Sequence, residues 1–423
     1  MTLDRKRLAQ IADWEAVAVA ISLPWSTSAT SILLVAWLVT LLPSLDVAMW
    51  RREAATAAGG LPVLLWLLAA AGMLWASVSW PERIDGLDGF HRLLVIPLLL
   101  AQFRRSENGK WVLYGFLAAA VALLIASWTW AVFPALWSPP RRIIGVPVKD
   151  VISQSTVFLI CAFALIGRAC DLLRECHWRS ALLPAGVAAL FLSNLAFVAM
   201  SRADLVVAPF LVVLLGWRQL RWKGVMIACF AAAILTSGAW MTSANLGPHF
   251  VRALHDIWDY RASNEPNDVG DHVEFLRKSM IFVREAPLIG HGTGSIANLF
   301  RRSAVGETGA AAVATVNPHS QIFAVAIQLG LLGTGVLMAM WIAHYLLFRA
   351  TDFTGWVGTL VVVENIISSL TSSHLFDFTH GWLYVLGVGV VGGMTLRDIS
   401  TAPAINAARA DTVSDSADAA LQG

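Results

Sequence analysis

The chain reads as an all-α integral membrane protein, and three observations carry that reading. It is 57% hydrophobic and only 14% charged, with a mean hydropathy of +0.66, whereas soluble domains carry roughly 25% charged residues. Apolar runs recur along nearly the whole length. They are too numerous for a cleaved signal peptide, and Met1 to Gln10 is polar and basic rather than signal-like. Third, Lys and Arg gather in every second connecting loop, the pattern that fixes orientation in a bilayer.

A bilayer core about 30 Å thick needs about 20 apolar residues per helix. On that criterion spans fall near 10–25, 27–45, 60–79, 89–103, 111–134, 151–172, 181–199, 203–217, 223–241, 319–348, 355–371 and 381–396, about twelve in all. The chain thus divides into transmembrane helices over 1–241, one long polar loop over 242–318 with amphipathic helices, and further spans over 319–397. Residues 398–423, rich in Ala, Ser, Asp and Thr without an apolar period, read as a disordered tail. Many of the 19 tryptophans, among them Trp25, Trp80, Trp137, Trp217 and Trp382, stand near the ends of apolar runs and suit an interfacial belt.

Basic residues at 5–7, 51–52, 104–110, 168–179 and 218–223 place the N-terminus, and with an even number of spans the C-terminus, in the cytoplasm. The loop at 81–88 is acidic, as an outward loop should be. Three outward places break the rule: Arg141, Arg142 and Lys149; Arg202; and the 242–318 loop with Arg252, Arg261, Arg277, Arg284, Arg301 and Arg302. Cations kept on the wrong side suggest a site for an anion. A net charge of +2 points to no nucleic-acid partner. Cys161, Cys170, Cys176 and Cys229 lie in expected helices or cytoplasmic turns, so no disulfide framework is expected.

The candidate chemistry centres on His319. Asn317-Pro318-His319 reads as an N-cap, a proline at the first helical position and a histidine next. A helix start carries partial positive charge and disfavours protonation of the imidazole, leaving a neutral general base. Its plainer role is an interfacial histidine bonded to a loop, and position alone does not choose between them. Arg202, in the short turn SRAD (201–204), would either line a polar cavity or snorkel to headgroups. Arg277 and Arg284 share one face of the amphipathic segment 271–287, which without a partner would simply be a solvated basic face. Arg141 and Arg142 follow the stiff SPP (138–140) and could contact headgroups instead; Arg92 and Gln321 are weaker candidates on the same side. The glycines of PLIGHGTG (287–294) form neither a phosphate loop nor a dinucleotide fingerprint and read as a tight turn. HExxH, an outward DxD and GxSxG are absent, which indicates no metal-dependent transfer and no acyl hydrolase.

In the order and spacing of SRAD, the Arg277 helix, PLIGHGTG and NPHSQIFAVAIQLGLLG (317–333), the chain resembles the O-antigen ligase and polymerase superfamily. Ser320 stands where the family often has Asn. The resemblance implies a GT-C-like membrane enzyme of the bacterial inner membrane with its site facing the periplasm. It implies an undecaprenyl-diphosphate-linked glycan donor, membrane lipids around it, and no cofactor or metal. In that family outward arginines engage the diphosphate, here Arg202, Arg277 and Arg142, and a histidine, here His319, activates the acceptor hydroxyl. A lipid A-core acceptor would make the protein a ligase. A lipid-linked glycan acceptor would make it a polymerase, and a protein acceptor an O-glycosyltransferase. One dominant outward loop favours the ligase. A different class, an anion transporter, would use the same arginines for binding, but neither inverted repeats nor broken midplane helices stand out.

Overall fold

A computed structural model describes residues 4–136, 143–242, 268–349 and 352–400 of the chain. Fifteen helices are named here: α1 (Arg5–Ser22), α2 (Thr27–Ser44), α3 (Val47–Ala54), α4 (Ala57–Gly72), α5 (Trp80–His91), α6 (Val95–Arg105), α7 (Gly109–Val132), α8 (Val151–Arg174), α9 (Trp178–Phe197), α10 (Arg202–Thr242), α11 (Asp268–Glu285), α12 (Ser295–Ala304), α13 (Gln321–Leu347), α14 (Phe353–Ser368) and α15 (Phe378–Ser400). Among the described residues there is no strand. The protein is all-α and multi-pass.

The expected number of crossings is corrected. Instead of about twelve spans, seven helices among the described residues are long and apolar enough: α2, α7, α8, α9, α10 to Ser237, α13 and α15. An eighth is reached if α3 and α4, bent by 84°, make one crossing. The reasons are local. Helix α1 carries Gln10, Asp13 and Glu15 among its apolar residues. The run expected at 89–103 is divided at Arg92–Leu94, leaving α6 with 11 residues, about 16 Å at 1.5 Å per residue. Helices α4 and α14 have 16 residues each. The spans expected at 203–217 and 223–241 fall in one helical run, α10, which a kink interrupts at Leu220 and Arg221. There the backbones of Gly216 and Gly224 approach so closely that neither position has room for a Cβ.

Two apolar cores fill the bundle. One joins α1, α2, α4, α6, α13, α14 and α15 around Trp37, Phe90, Phe103 and Tyr384. The other joins α7, α8, α9, α10 and α14 around Phe158, Phe191 and Trp356. A smaller cluster, Phe275, Phe282, Ile296 and Phe300 with Ala324 and Ile327, fastens α11 and α12 onto the first turns of α13. The described part of the long polar segment is therefore anchored to the bundle.

The PLIGHGTG turn does that anchoring. Helix α13 is interrupted at Gly330, whose φ of 62° belongs to the left-handed region. Into the interruption fits the turn: Leu331 and Leu332 N–H donate to the Pro287 and Leu288 carbonyls, while His291 and Gly292 N–H donate to the Ile327 and Gln328 carbonyls. Backbone groups freed by breaking the helix are thus paired, which a buried break requires. Thr293 adds hydrogen bonds to Gly72 and Ala69 of α4.

Candidate functional site

The first turns of α8, α10, α13 and α15 meet at one end of the bundle. Hydrogen bonds fix the meeting: Thr156 of α8 donates to Asp204 of α10 at 3.0 Å, His380 of α15 lies 3.2 Å from Thr156, and the Gln321 N–H of α13 donates to the Ser369 carbonyl at 2.9 Å. Four helix starts bring partial positive charge to this end, and Asp150, Asp204 and Asp377 stand at three of them.

His319 stands here, but not inside the helix. Helix α13 starts at Gln321 with Ser320 as its N-cap, three residues after the start expected at Pro318. Asn317 explains the shift, because its Oδ1 accepts the His319 N–H at 2.9 Å and turns the chain sharply. His319 consequently has φ of 52°, a left-handed conformation uncommon in residues other than glycine and incompatible with a helix interior. Phe275 stacks over the imidazole at 5.6 Å and 9°, and the His272 ring lies at 4.2 Å. Both come from α11, which roofs the histidine. Burial first, then the neighbouring His272, brings the His319 imidazole down to about 4. It is a neutral ring at physiological pH, for reasons of desolvation rather than of the helix start.

The other sequence candidates are placed as follows. Arg202 is the exposed first residue of α10. Arg277 is half-exposed and paired with Glu274 at 2.9 Å. On α11 it lies about half a turn around from His272 and Phe275, at about 100° per residue, so the structure does not bring it against His319. Arg284 is exposed on the same helix. Arg92 is buried and hydrogen-bonds the Asp377 carbonyl, in space left open by Gly381. Gln321 is fully buried, and its side-chain amide has no hydrogen-bond partner among the described residues. Arg141, Arg142, Arg252 and Arg261 lie outside the described residues, as do 401–423 of the expected tail.

Sequence reasoning missed the turn that runs into the first residues of α15. His374, Asp377 and His380 occur at intervals of three, which was the available signal, and bring potential ligand atoms within 4.8 Å of one another. The two imidazoles are parallel, at 9° and 4.0 Å between centroids. An ion binds imidazole along a nitrogen lone pair, in the ring plane, so one ion cannot serve two parallel rings unless one of them turns. Cations also border the cluster. Arg92 holds the Asp377 carbonyl, and the Lys149 ammonium donates to Thr379 Oγ1 at 3.1 Å and to the Leu23 carbonyl. Lys149 itself is brought down to about 8, mainly by burial, and His374 to about 3 by burial with His380 and His319 adding to it. As arranged, the triad does not fit a metal centre.

These features define a class: a multi-pass α-helical membrane protein with a neutral, roofed imidazole and several guanidiniums at one end of its bundle. Residues 187–338, from α9 into α13, match the family described as O-antigen ligase. That match covers 152 of the 423 residues and gives family-level support for a ligase or glycosyltransferase-like enzymatic role. No curated protein matches the chain. The matched stretch contains Arg202, Arg277 and His319; Arg92, Lys149 and the 374–380 turn lie outside it.

Proposed function

We propose that the protein is an O-antigen ligase of the bacterial inner membrane. It would transfer polysaccharide from undecaprenyl diphosphate to the lipid A-core oligosaccharide at the periplasmic face, with both termini in the cytoplasm, which takes α3 and α4 as one crossing and an even total of eight. The observation that carries this reading is the neutral His319, held under α11 at the end of the bundle where Arg202 opens α10, within the stretch that matches the family.

The chemistry follows from charge. His319 accepts the proton of the acceptor hydroxyl as its oxygen forms a bond to the anomeric carbon. The bond from that carbon to the diphosphate oxygen breaks, and its electron pair leaves with the lipid diphosphate. One displacement inverts the anomeric centre. Arg202 and Arg277, with Arg142 from outside the described residues, bind the diphosphate, and Arg277 must exchange Glu274 for phosphate to do so. Fixed guanidiniums near hydrocarbon can lower the barrier by several kcal/mol, of order 3, in place of a metal.

Purified protein in detergent tests this directly. A polyprenyl-diphosphate-linked glycan is offered with either lipid A-core or a second lipid-linked glycan. Transfer to lipid A-core with inverted anomeric configuration is the expected product. Elongation of the lipid-linked glycan instead identifies a polymerase, and uptake into proteoliposomes without a covalent product identifies a transporter.

A further inference from the structure

The turn that sequence reasoning missed stands between the two parts of the proposed site, and it is hydrogen-bonded to both. On one side, the buried Asp204 accepts from Ser201 Oγ at 2.6 Å, from Thr156 Oγ1 at 3.0 Å and from Ser155 Oγ. A carboxylate only accepts, so the Thr156 proton is committed to Asp204. The hydroxyl oxygen then accepts from His380 Nε2 at 3.2 Å. His380 stacks on His374 within the same turn. On the other side, Ser373 Oγ donates at 2.7 Å to Asn317 Oδ1, the same oxygen that accepts the His319 N–H. One chain of contacts therefore runs from the SRAD turn through α8 and the 373–380 turn to the strained backbone of His319.

We propose that the 373–380 turn is a positioning clamp, which through Thr156 and Asp204 on one side and Asn317 on the other holds Arg202 and His319 in fixed register. None of Thr156, Asp204, Ser373 or His380 need touch substrate. A general base and a phosphate-binding cation act together only if their separation matches the transition state, and small displacements of such groups are costly. The left-handed His319 backbone needs a neighbour to hold it, because an isolated chain relaxes out of that region. Ser373 and Asn317 supply the hold.

This inference rests on the transfer reading above, and the experiment separates the two. Transfer kinetics are measured for Arg202→Ala, for Thr156→Val and Thr156→Ser, and for each Thr156 variant combined with Arg202→Lys. Thr156→Val keeps shape but loses the bridging hydroxyl, so kcat should fall about tenfold to a hundredfold, with a smaller change in the donor KM. Thr156→Ser restores the hydroxyl and should recover most of the rate. If Thr156 acts through Arg202, the cost of Thr156→Val shrinks in the Arg202→Lys background, where that placement is already lost. Equal costs in both backgrounds, or a wild-type rate for Thr156→Val, overturn the clamp. Full transfer by Arg202→Ala overturns the functional reading instead. Should Thr156→Val fail to fold, Ser373→Ala provides the same measurement from the other side: a fall in kcat supports the clamp, and an unchanged rate rejects it.

Discussion

Two buried polar regions lie at opposite ends of α7 and its neighbours, and they are built differently. At the first, the Asp13 carboxylate accepts from Gln102 at 2.8 Å, Ser106 at 2.6 Å and Asn108 at 3.1 Å, while Trp37 donates to Gln102 at 2.9 Å. Donors and acceptors there close on one another. At the second, around His319, the buried side chains of Gln321 and Asn365 have no partner at either end among the described residues, and neither does His374 Nδ1. Buried polar atoms are ordinarily paired, since an orphan costs about 1–3 kcal/mol. A closed network ties helices together; an open one keeps hydrogen-bonding capacity for something that arrives. That difference separates the Asp13 cluster from Gln321, Asn365 and His374 around His319.

The largest effect expected from this contrast is at His319. Asn tolerates the left-handed conformation that His319 adopts, so His319→Asn removes the base while sparing the backbone. Turnover should drop by about 10²–10⁴, with the unfolding midpoint little changed. The pH profile gives a second check. The imidazole acts as base only when neutral, and its pKa lies at about 4 because of burial and His272. Activity should therefore persist through pH 6 and fall only as pH drops toward about 4, whereas a solvated histidine would give a limb near about 6.5. A limb at the higher value would show that α11 does not roof His319 in the working enzyme.

Next in size is Arg277. Binding phosphate requires Arg277 to leave the buried Glu274 carboxylate, and Arg277→Ala loses the charged contact altogether. A charge-assisted hydrogen bond of about 1.5–3 kcal/mol corresponds to roughly tenfold to a hundredfold in kcat/KM. Arg277→Lys should recover only part of it, since a lysine lacks the planar fork. An unchanged Arg277→Ala enzyme would confine the site to the helix starts and leave α11 as a roof alone.

What could be read from the sequence follows from how local each feature is. The helical class, the amphipathic segment carrying Arg277 and the tight turn at 287–294 depend on neighbours within a few residues, and the structure has each of them. The number of crossings does not follow so simply. The apolar run at 89–103 is divided at Arg92–Leu94, and α10 is kinked at Leu220 and Arg221, breaks set by packing rather than by composition. At His319 the residue was legible but its setting was not: an Asn317 side-chain bond and a roof from α11 decide the backbone and the protonation. The 374–380 turn escaped because its meaning lies in contacts with α8 and Asn317, more than fifty residues away in each case.

A smaller effect, opposite in kind, is expected at the closed end. Asp13→Ala leaves the Gln102, Ser106 and Asn108 donors without their acceptor, each at a cost of order 1 kcal/mol or more. The thermal midpoint in detergent should fall by several degrees, roughly 5 °C, while transfer per folded molecule stays the same. A fall in kcat with no loss of stability would mean that the two ends are not independent, and the contrast drawn between them would fail.

The smallest expected effect is that of chelation. The histidine-aspartate turn has metal-like spacing, so the open end could be read as an unfilled ion site rather than as an anion site. Its geometry argues for the second: the imidazoles are parallel, and Arg92 and Lys149 already bring positive charge to the same turn. A divalent ion would add charge where guanidinium and ammonium groups stand, and would have to turn one ring out of the stack. Transfer by the purified protein should therefore be the same with and without EDTA. Activity lost on chelation, regained with a divalent cation and not regained in His374→Ala would reverse that assignment, since the unpaired groups at this end would then serve a metal before they serve a phosphate.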